Sequence, residues 1–380
     1  MLKDYYWYWL CNIKGIGIKK RRQLLDVFNE PECIYKTDEK LLSKVKQLSE
    51  KDVKNIILSK TDRSIYDDFI SLGNKGIKLT YPGKNDYPER LMNIYDYPHL
   101  IYYKGTLPSG NLPSVSIVGS RQNTSYGRSV ASYLSEFYGR MGIQVISGLA
   151  LGIDTSAHKG AVKGGGYTCG VLGCGIDICY PRENIELYTY MCEHGCVMSE
   201  YPPGTTPLSG QFPMRNRIIS GLSDVVIVVE ARKKSGSLIT ADQALEQNRD
   251  VYAVPGRIGD SLSEGCNELI KMGAGIITKP EDILDNERVN YLIKNTLKKG
   301  MDKIQKDDIT INPEEKNRDF GVATKKDMLY SSLDLYPMSL NTLIEKTKLS
   351  LGEISEILVQ LELEGLVSEV SRNCYARVYQ

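Results

Sequence analysis

The chain has 380 residues, a length that exceeds one typical domain of about 150 residues and predicts two or three domains. Its content of 41% hydrophobic and 25% charged residues excludes a disordered or collagen-like protein. The formal net charge of +1 excludes the overall positive field of a histone-like protein, so any binding of phosphates must depend on the local placement of cations.

The N-terminus, MLKDYYW, has neither the basic stretch nor the apolar core of a signal peptide, and no run of about 18 apolar residues follows anywhere in the chain. We therefore expect a cytoplasmic protein without membrane contact. Nine cysteines, an odd and dispersed set, predict free thiols rather than a disulfide framework.

Residues 1–75 are predicted to form a small helical domain, because apolar positions recur three or four apart. The segments are Tyr5–Leu10, Lys19–Phe28, Lys40–Val45 and Glu50–Ser59. Gly15-Ile16-Gly17 followed by four cations, KKRR, is typical of a helix-hairpin-helix turn that presents amides and charge to a phosphate. A packing domain with solvated lysines explains the pattern equally well.

Residues 76–287 are predicted to form a second domain, in which strands and helices alternate from Ser114 onward. Seven strands are predicted, at Val115–Val118, Gln144–Ile146, Thr168–Leu172, Cys196–Met198, Val225–Val229, Val251–Ala253 and Gly275–Ile277. Continuous apolar runs such as VVIVV suit strands that helices cover on both faces. The prediction is a Rossmann-like α/β domain with a doubly wound, mainly parallel sheet.

One segment of this domain resembles a metal site, Cys192-Glu193-His194-Gly195-Cys196. It lacks a second pair of ligands at zinc-site spacing. We interpret it as a helix that ends before a buried strand, and we expect no metal.

A polar stretch, residues 288–325, predicts a linker, and residues 326–380 predict a winged-helix domain. Its elements are three helices and a hairpin, at Asp327–Leu335, Ser339–Lys346, Ser350–Leu363 and Gly365–Tyr379. Ser339 and Ser350 are predicted N-caps. The third helix and its end carry Glu353, Glu356, Glu362 and Glu364 but no lysine or arginine, so we expect this domain to contact protein rather than DNA.

The loop after the first predicted strand holds the first group of candidate ligand-binding residues, Gly119, Ser120, Arg121 and Ser125. Ligands of open α/β sheets bind beyond the carboxyl ends of the strands. Glycine permits close approach, hydroxyls and free amides donate, and arginine grips two oxygens of a phosphate. An ordinary turn with a surface arginine is the alternative. The GxGxxG and Walker A patterns are absent, and no cofactor is predicted.

Two further loops converge on the same sheet edge and add the candidates Phe212, Arg215, Asn216, Arg217, Lys234, Ser237 and Thr240. The aromatic ring suits base stacking, the cations suit phosphates and the amide suits a base edge. The structural alternatives are that Arg217 pairs with Asp224 or Glu230 and that Ser237 caps its helix.

Residues for covalent catalysis are scarce, since the chain has three histidines and no GxSxG pattern. The one cluster of an acid with a histidine, Asp154 and His158, is interpreted as an N-terminal helix cap beside a histidine. We expect no catalytic residue and no enzymatic activity.

With these segments placed, the chain resembles the DNA-processing protein A (DprA/Smf) family over nearly its whole length. The motifs in family order are Ile117–Arg121, Ser147–His158, Val171–Asp177, Tyr180–Asn184, Glu200–Thr205, Phe212–Ile219, Ser235–Thr240, Val254–Gly256 and Gly265–Ile270. Leu151 departs from the arginine that the family often has there.

The resemblance implies a protein that coats single-stranded DNA and helps to load the RecA recombinase, as in natural transformation and homologous recombination. It also implies a homodimer formed through the Rossmann-like domain. By motif match, Arg182 joins the residues above in the single-strand pocket.

Two other functions stay open. A nucleotide phosphoribohydrolase shares a similar core, but its PGGxGTxxE loop corresponds here to SGSLITAD, which lacks the glycine pair and the glutamate. A winged-helix transcription factor with a nucleotide-sensing core predicts sequence-selective duplex binding, whereas we expect a preference for unpaired strands.

Overall fold

A computed structural model describes residues 2–304, 325–333, 338–371 and 373–377. Residues 2–74 are mainly helical, as predicted. The helices are α1 (Leu2–Asn12), α2 (Ile18–Phe28), α3 (Pro31–Lys36), α4 (Glu39–Leu42), α5 (Glu50–Ser59) and α6 (Arg63–Asn74). The sequence did not predict α3 or α6. Helix α6 is held by tertiary contacts, since Leu72 packs with Trp7 and with residues of the sheet domain.

The basic run after α1 is bound within the protein. Lys20 pairs with Asp52 at 2.7 Å, and Arg21 donates to the carbonyl of Cys11 at 3.4 Å. The Arg22 guanidinium donates to the carbonyl of Tyr95 at 2.8 Å and lies over that ring. These contacts favour the packing interpretation of the run over a phosphate-binding turn.

A nine-stranded sheet forms the centre of the molecule, in the order β1-β2-β6-β5-β4-β3-β7-β8-β9. The strands are β1 (Lys78–Thr80), β2 (Ile101–Gly105), β3 (Ser114–Val118), β4 (Gln144–Ser147), β5 (Thr168–Leu172), β6 (Cys196–Ser199), β7 (Val225–Val228), β8 (Asp250–Ala253) and β9 (Gly275–Ile276). Strands β3 to β9 are parallel, which confirms all seven predicted strands. The antiparallel strands β1 and β2 were not predicted. Edge strand β1 pairs with β2, and β2 pairs with β6, which is distant in the sequence, so the local pattern does not reveal this pairing.

Helices cover both faces of the sheet, as in a doubly wound domain. They are α7 (Ser125–Arg140), α8 (Ile153–Lys163), α9 (Ile185–His194), α10 (Gln211–Leu222), α11 (Gly236–Glu246), α12 (Glu264–Lys271) and α13 (Glu287–Ile304). Single 3-10 turns lie at Glu89–Asn93, Arg182–Asn184 and Pro280–Asp285. One core includes side chains of α7, α8 and α13, and another includes side chains of α10, α11 and α12.

Helix α9 ends at His194 before β6 begins at Cys196, as the sequence predicted for that segment. The predicted linker is helical at its start, because Val289 of α13 packs into a core of the sheet domain. Residues 305–324 of that linker lie outside the described residues. Within the described part of the chain, no helix is long and apolar enough to cross a membrane.

The C-terminal region is a winged helix, as predicted. It comprises α14 (Lys325–Ser332), β10 (Met338–Ser339), α15 (Leu340–Thr347), α16 (Leu351–Leu363), β11 (Val367–Ser371) and β12 (Cys374–Arg377), and β12 pairs with both other strands. Ser339 and Ser350 are N-caps, and Glu353 completes a capping box with Ser350. The ends of the predicted first helix and hairpin, residues 334–335 and 378–379, lie outside the described residues.

Candidate nucleic-acid interface

A groove of about 730 Å³ opens at the carboxyl edge of the sheet, beside the loops that follow β3 and β7. These adjacent strands send their crossovers in opposite directions, and such switch points are where open α/β sheets bind ligands. Nine of the twelve predicted site residues line the groove. They are Gly119, Ser120, Arg121, Phe212, Arg215, Asn216, Lys234, Ser237 and Thr240.

Aromatic rings and a guanidinium form one wall of the groove. The Arg121 guanidinium lies over the Phe212 ring, 4.9 Å from its centroid. Tyr180 stacks on Phe212 with 5.8 Å between centroids and is 43% exposed. A Cβ at Gly173 would lie 2.8 Å from Phe212, so glycine there lets the ring pack closely. The sequence prediction omitted Tyr180 and Gly173, although Tyr180 stands beside the Arg182 that it included.

Arg215 lies in the groove lining but is 4% exposed. Its Nη1 donates to the carbonyls of Gly148, at 2.6 Å, and Val171, and these bonds tie the loop after β4 to strand β5. Burial lowers the pKa of Arg215 to about 10, so it remains a cation at neutral pH. A Cβ at Gly148 would overlap its guanidinium. Arg215 therefore stabilises the main chain that forms the groove, and its buried guanidinium adds positive charge there.

Arg217 does not reach the groove, which corrects the sequence prediction. It is 3% exposed, and its guanidinium pairs with Asp96 at 2.9 Å and with Glu200 at 2.7 Å. Side chains two residues apart on a helix point about 200° apart, so Arg215 and Arg217 cannot face one groove. The predicted alternative partners were also wrong, since Asp224 pairs with Arg90 and Arg288, and Glu230 binds Thr124.

The β7–α11 loop forms another part of the groove lining. Ser235, rather than Ser237, is the N-cap of α11, because its Oγ accepts from the amide of Ser237 at 3.3 Å. The cap is a neutral hydroxyl, which leaves the positive end of the helix dipole open to an anion. Lys234 is exposed beside it, and Arg232, which the prediction omitted, also lines the groove. The run RKK was the sequence signal for Arg232.

Polar groups of the β3–α7 loop hydrogen-bond to one another and to Glu230. The Ser120 hydroxyl donates to the carbonyl of Gln122 at 3.0 Å and accepts from its amide at 3.1 Å. The Thr124 amide donates to Glu230 at 2.9 Å, and the Gly127 amide donates to Thr124 Oγ1 at 3.0 Å. The amides of Gln122, Thr124 and Gly127 are therefore engaged within the protein rather than free for a ligand. Ser125 lies outside the groove lining, so its predicted contact is not supported.

Arg182 also lies outside the groove lining, on an exposed 3-10 turn two residues after Tyr180. Leu151, the position that departs from the family pattern, is 42% exposed and likewise lies outside the lining. The structure thus brings Tyr180, which the sequence prediction omitted, into the groove, and not Arg182, which the resemblance added.

Asp154 and His158 do not interact. Asp154 accepts from the amides of Gly148 at 3.1 Å and Ala150 at 3.4 Å, and burial raises the pKa of its carboxyl. It lies inside α8, whose N-cap is Gly152, so the cap interpretation was wrong. His158 is buried with Nδ1 2.6 Å from Thr168 Oγ1, and burial lowers its pKa to about 3. The pair is part of the scaffold.

The family model of DNA recombination-mediator protein A matches residues 78–288, and that of the DprA winged helix domain matches residues 314–371. Protein Smf of Synechocystis is 32% identical over 98% of either chain. The DNA processing protein DprA of Bacillus subtilis is 46% identical over 56% of this chain and 71% of its own. The X-ray structure of DprA from Streptococcus pneumoniae has a TM-score of 0.66 and 34% identity, and the match covers 74% of this chain and 97% of that one.

Proposed function

The chain belongs to the DNA recombination-mediator protein A (DprA/Smf) family, and from this we propose that it binds single-stranded DNA in the groove and performs no covalent chemistry on it. The observation that carries the proposal is the exposed Arg121 on the Phe212 ring, in the same groove as Lys234 and the neutral start of α11. Unpaired strands offer base faces for stacking and a backbone for cations, whereas bases in a duplex are stacked on each other.

The charge of the lining supports a polyanion as ligand. Arg121, Arg232 and Lys234 line the groove, whereas its acidic member, Asp154, is buried and accepts loop amides. A phosphate backbone in the groove can therefore contact cations, and no exposed carboxylate among these lining residues repels it.

Titration of a labelled oligothymidine and of a blunt duplex, over a series of salt concentrations, tests the proposal. We expect tighter binding of the single strand, with an affinity that falls steeply as salt rises. Equal or tighter binding of the duplex would contradict it and would favour the transcription-factor alternative. Incubation with nucleoside monophosphates tests the hydrolase alternative, and we expect no release of free base.

We further propose that the bound strand is passed to the RecA recombinase in the cytoplasm, as in DNA processing during natural transformation. Family membership supports this step. The test is the formation of RecA filaments on oligothymidine covered by a single-strand-binding protein, with and without the chain. Intact DNA binding without any stimulation of filament formation would contradict it.

A homodimer through the sheet domain is part of the same proposal. An apolar surface at the β9 edge supports it: Leu245 is 54% exposed, Met272 72% and Ile276 49%, beside a hollow of about 760 Å³. Light scattering of the wild type and of Met272→Asp tests it. We expect a dimer and a monomer respectively, and a monomeric wild type at micromolar concentration would contradict it.

For the winged helix we propose contact with a protein partner. Lys325 pairs with Glu353, and Lys326 pairs with Glu364. These two lysines near α16 are therefore already neutralised by carboxylates of the same domain. Helix α16 exposes Leu351, Val359 and Leu363, the last at 85%. Exposed apolar side chains among glutamates suit a protein surface better than a phosphate backbone. A duplex that binds more weakly after removal of residues 326–380 would contradict this assignment.

A further inference from the structure

A buried carboxylate occupies the N-terminus of α7. Glu230, which follows β7, is 4% exposed. Its Oε2 accepts from the Thr124 amide at 2.9 Å, and its Oε1 accepts from the Thr124 hydroxyl. Thr124 is the N-cap of this 16-residue helix. The positive end of the helix dipole is thus compensated by an anion of the protein itself.

The packing around this carboxylate leaves no room for a second anion. A Cβ at Gly127, in the first turn of α7, would overlap the Glu230 carboxylate. The Ser120 amide donates to the main-chain carbonyl of Glu230 at 2.8 Å, which closes the loop from its other side. A Cβ at Gly119 would also lie 3.0 Å from that carbonyl oxygen. The two glycines fit the loop around Glu230 rather than around a ligand.

The N-terminus of α7 is where this type of fold commonly binds a phosphate. In open α/β sheets, the N-terminus of the helix that follows the first parallel strand at the switch point is the usual place for a nucleotide phosphate. Here β3 and α7 occupy that place. A phosphate approaching the start of α7 meets the charge of Glu230, which already accepts the Thr124 amide, at a short distance and away from bulk water.

We propose that Glu230 is a specificity determinant that excludes free phosphate and mononucleotides from the N-terminus of α7, beside the groove, and so favours a polynucleotide as the ligand of the groove. This inference rests on the proposed function. A mononucleotide depends on one tight phosphate site, whereas a strand gains affinity from many weaker contacts along its length. With the start of α7 closed by Glu230, a strand is left with the cations that line the groove, Arg121, Arg232 and Lys234, and with the start of α11.

The test compares ADP, inorganic phosphate and oligothymidine on the full chain. Isothermal titration and ³¹P NMR measure the two small anions, and fluorescence anisotropy measures the oligonucleotide. We expect the wild type to bind oligothymidine but neither small anion at about 1 mM. Glu230→Gln keeps the shape and an acceptor for Thr124, and Glu230→Ala also opens space. We expect both variants to bind ADP at least about tenfold more tightly than the wild type does.

Glu246→Gln is the matched control, because Glu246 is exposed at the far end of α11 and its replacement makes the same charge change. It should not alter ADP binding. The inference fails if the wild type binds ADP below 1 mM in competition with oligothymidine, or if folded Glu230 variants bind ADP no better than Glu246→Gln does. Failure of the proposed function is a separate result, namely a wild type that does not bind oligothymidine.

Discussion

Replacing Arg121 with alanine should weaken single-strand binding while the protein stays folded. Arg121 is exposed, and its guanidinium lies over the face of Phe212, 4.9 Å from the ring centroid. An exposed cation–π contact is worth about 0.5–1 kcal/mol, which limits the decrease in Tm to about 4 °C. A charge-assisted hydrogen bond to phosphate is worth about 1.5–3 kcal/mol, so the Kd should rise roughly 10- to 150-fold.

The salt dependence gives a second measure of the same contact. Loss of one phosphate contact on a single strand reduces the slope of log K against log salt by about 0.7. Anisotropy titrations of labelled oligothymidine at several salt concentrations yield both the Kd and the slope, and differential scanning fluorimetry yields the Tm.

Arg140→Ala is the matched control for Arg121→Ala. Arg140 is 69% exposed at the C-terminal end of α7 and pairs with Glu136. Its loss makes the same charge change away from the groove and should leave the slope unchanged. If Arg121→Ala has the Kd and slope of Arg140→Ala, Arg121 does not contact phosphate. If it unfolds, Arg121 is structural and the proposed groove chemistry is wrong.

Three further predictions test the roles of neighbouring residues. Arg217→Ala should lower the free energy of unfolding by about 3 kcal/mol, because the largely buried Glu200 loses its cation. Urea unfolding measures this change. A variant that keeps its stability but binds DNA weakly would show that Arg217 contacts DNA. Phe212→Leu should weaken oligothymidine binding by about 1–3 kcal/mol per stacked base without a change in salt slope, whereas an unchanged Kd would exclude stacking. The pKa of His158 is lowered to about 3 in the folded protein, against 6.5 in the unfolded chain, because burial favours the neutral ring. Its contribution to the free energy of unfolding is therefore complete above pH 6.5 and is lost as the pH falls toward 3. His158→Gln should therefore flatten the urea midpoint between pH 7 and 4 relative to the wild type, and identical pH profiles would refute the assignment.

The fold was largely predictable because its signals are local. Apolar runs such as VVIVV identify strands buried on both faces, and their alternation with helices identifies a parallel sheet. The short strands β1 and β2 were missed because β2 is stabilised by pairing with β6, about a hundred residues away, and β1 in turn pairs with β2. Ser339 and Ser350 were predicted as caps because capping depends on residues within one helical turn.

The sequence by itself determined where the groove lies, since parallel strands place their following loops on one edge and those loops contain Arg121, Phe212 and Lys234. Only the tertiary structure decided what each side chain does there. It buried Arg217 against Asp96, 121 residues away, and set Glu230 against Thr124, 106 residues away. The physical reason is that strand and helix patterns follow the periodicity of the local chain, whereas ion pairs and hydrogen bonds join residues that only the completed fold brings together.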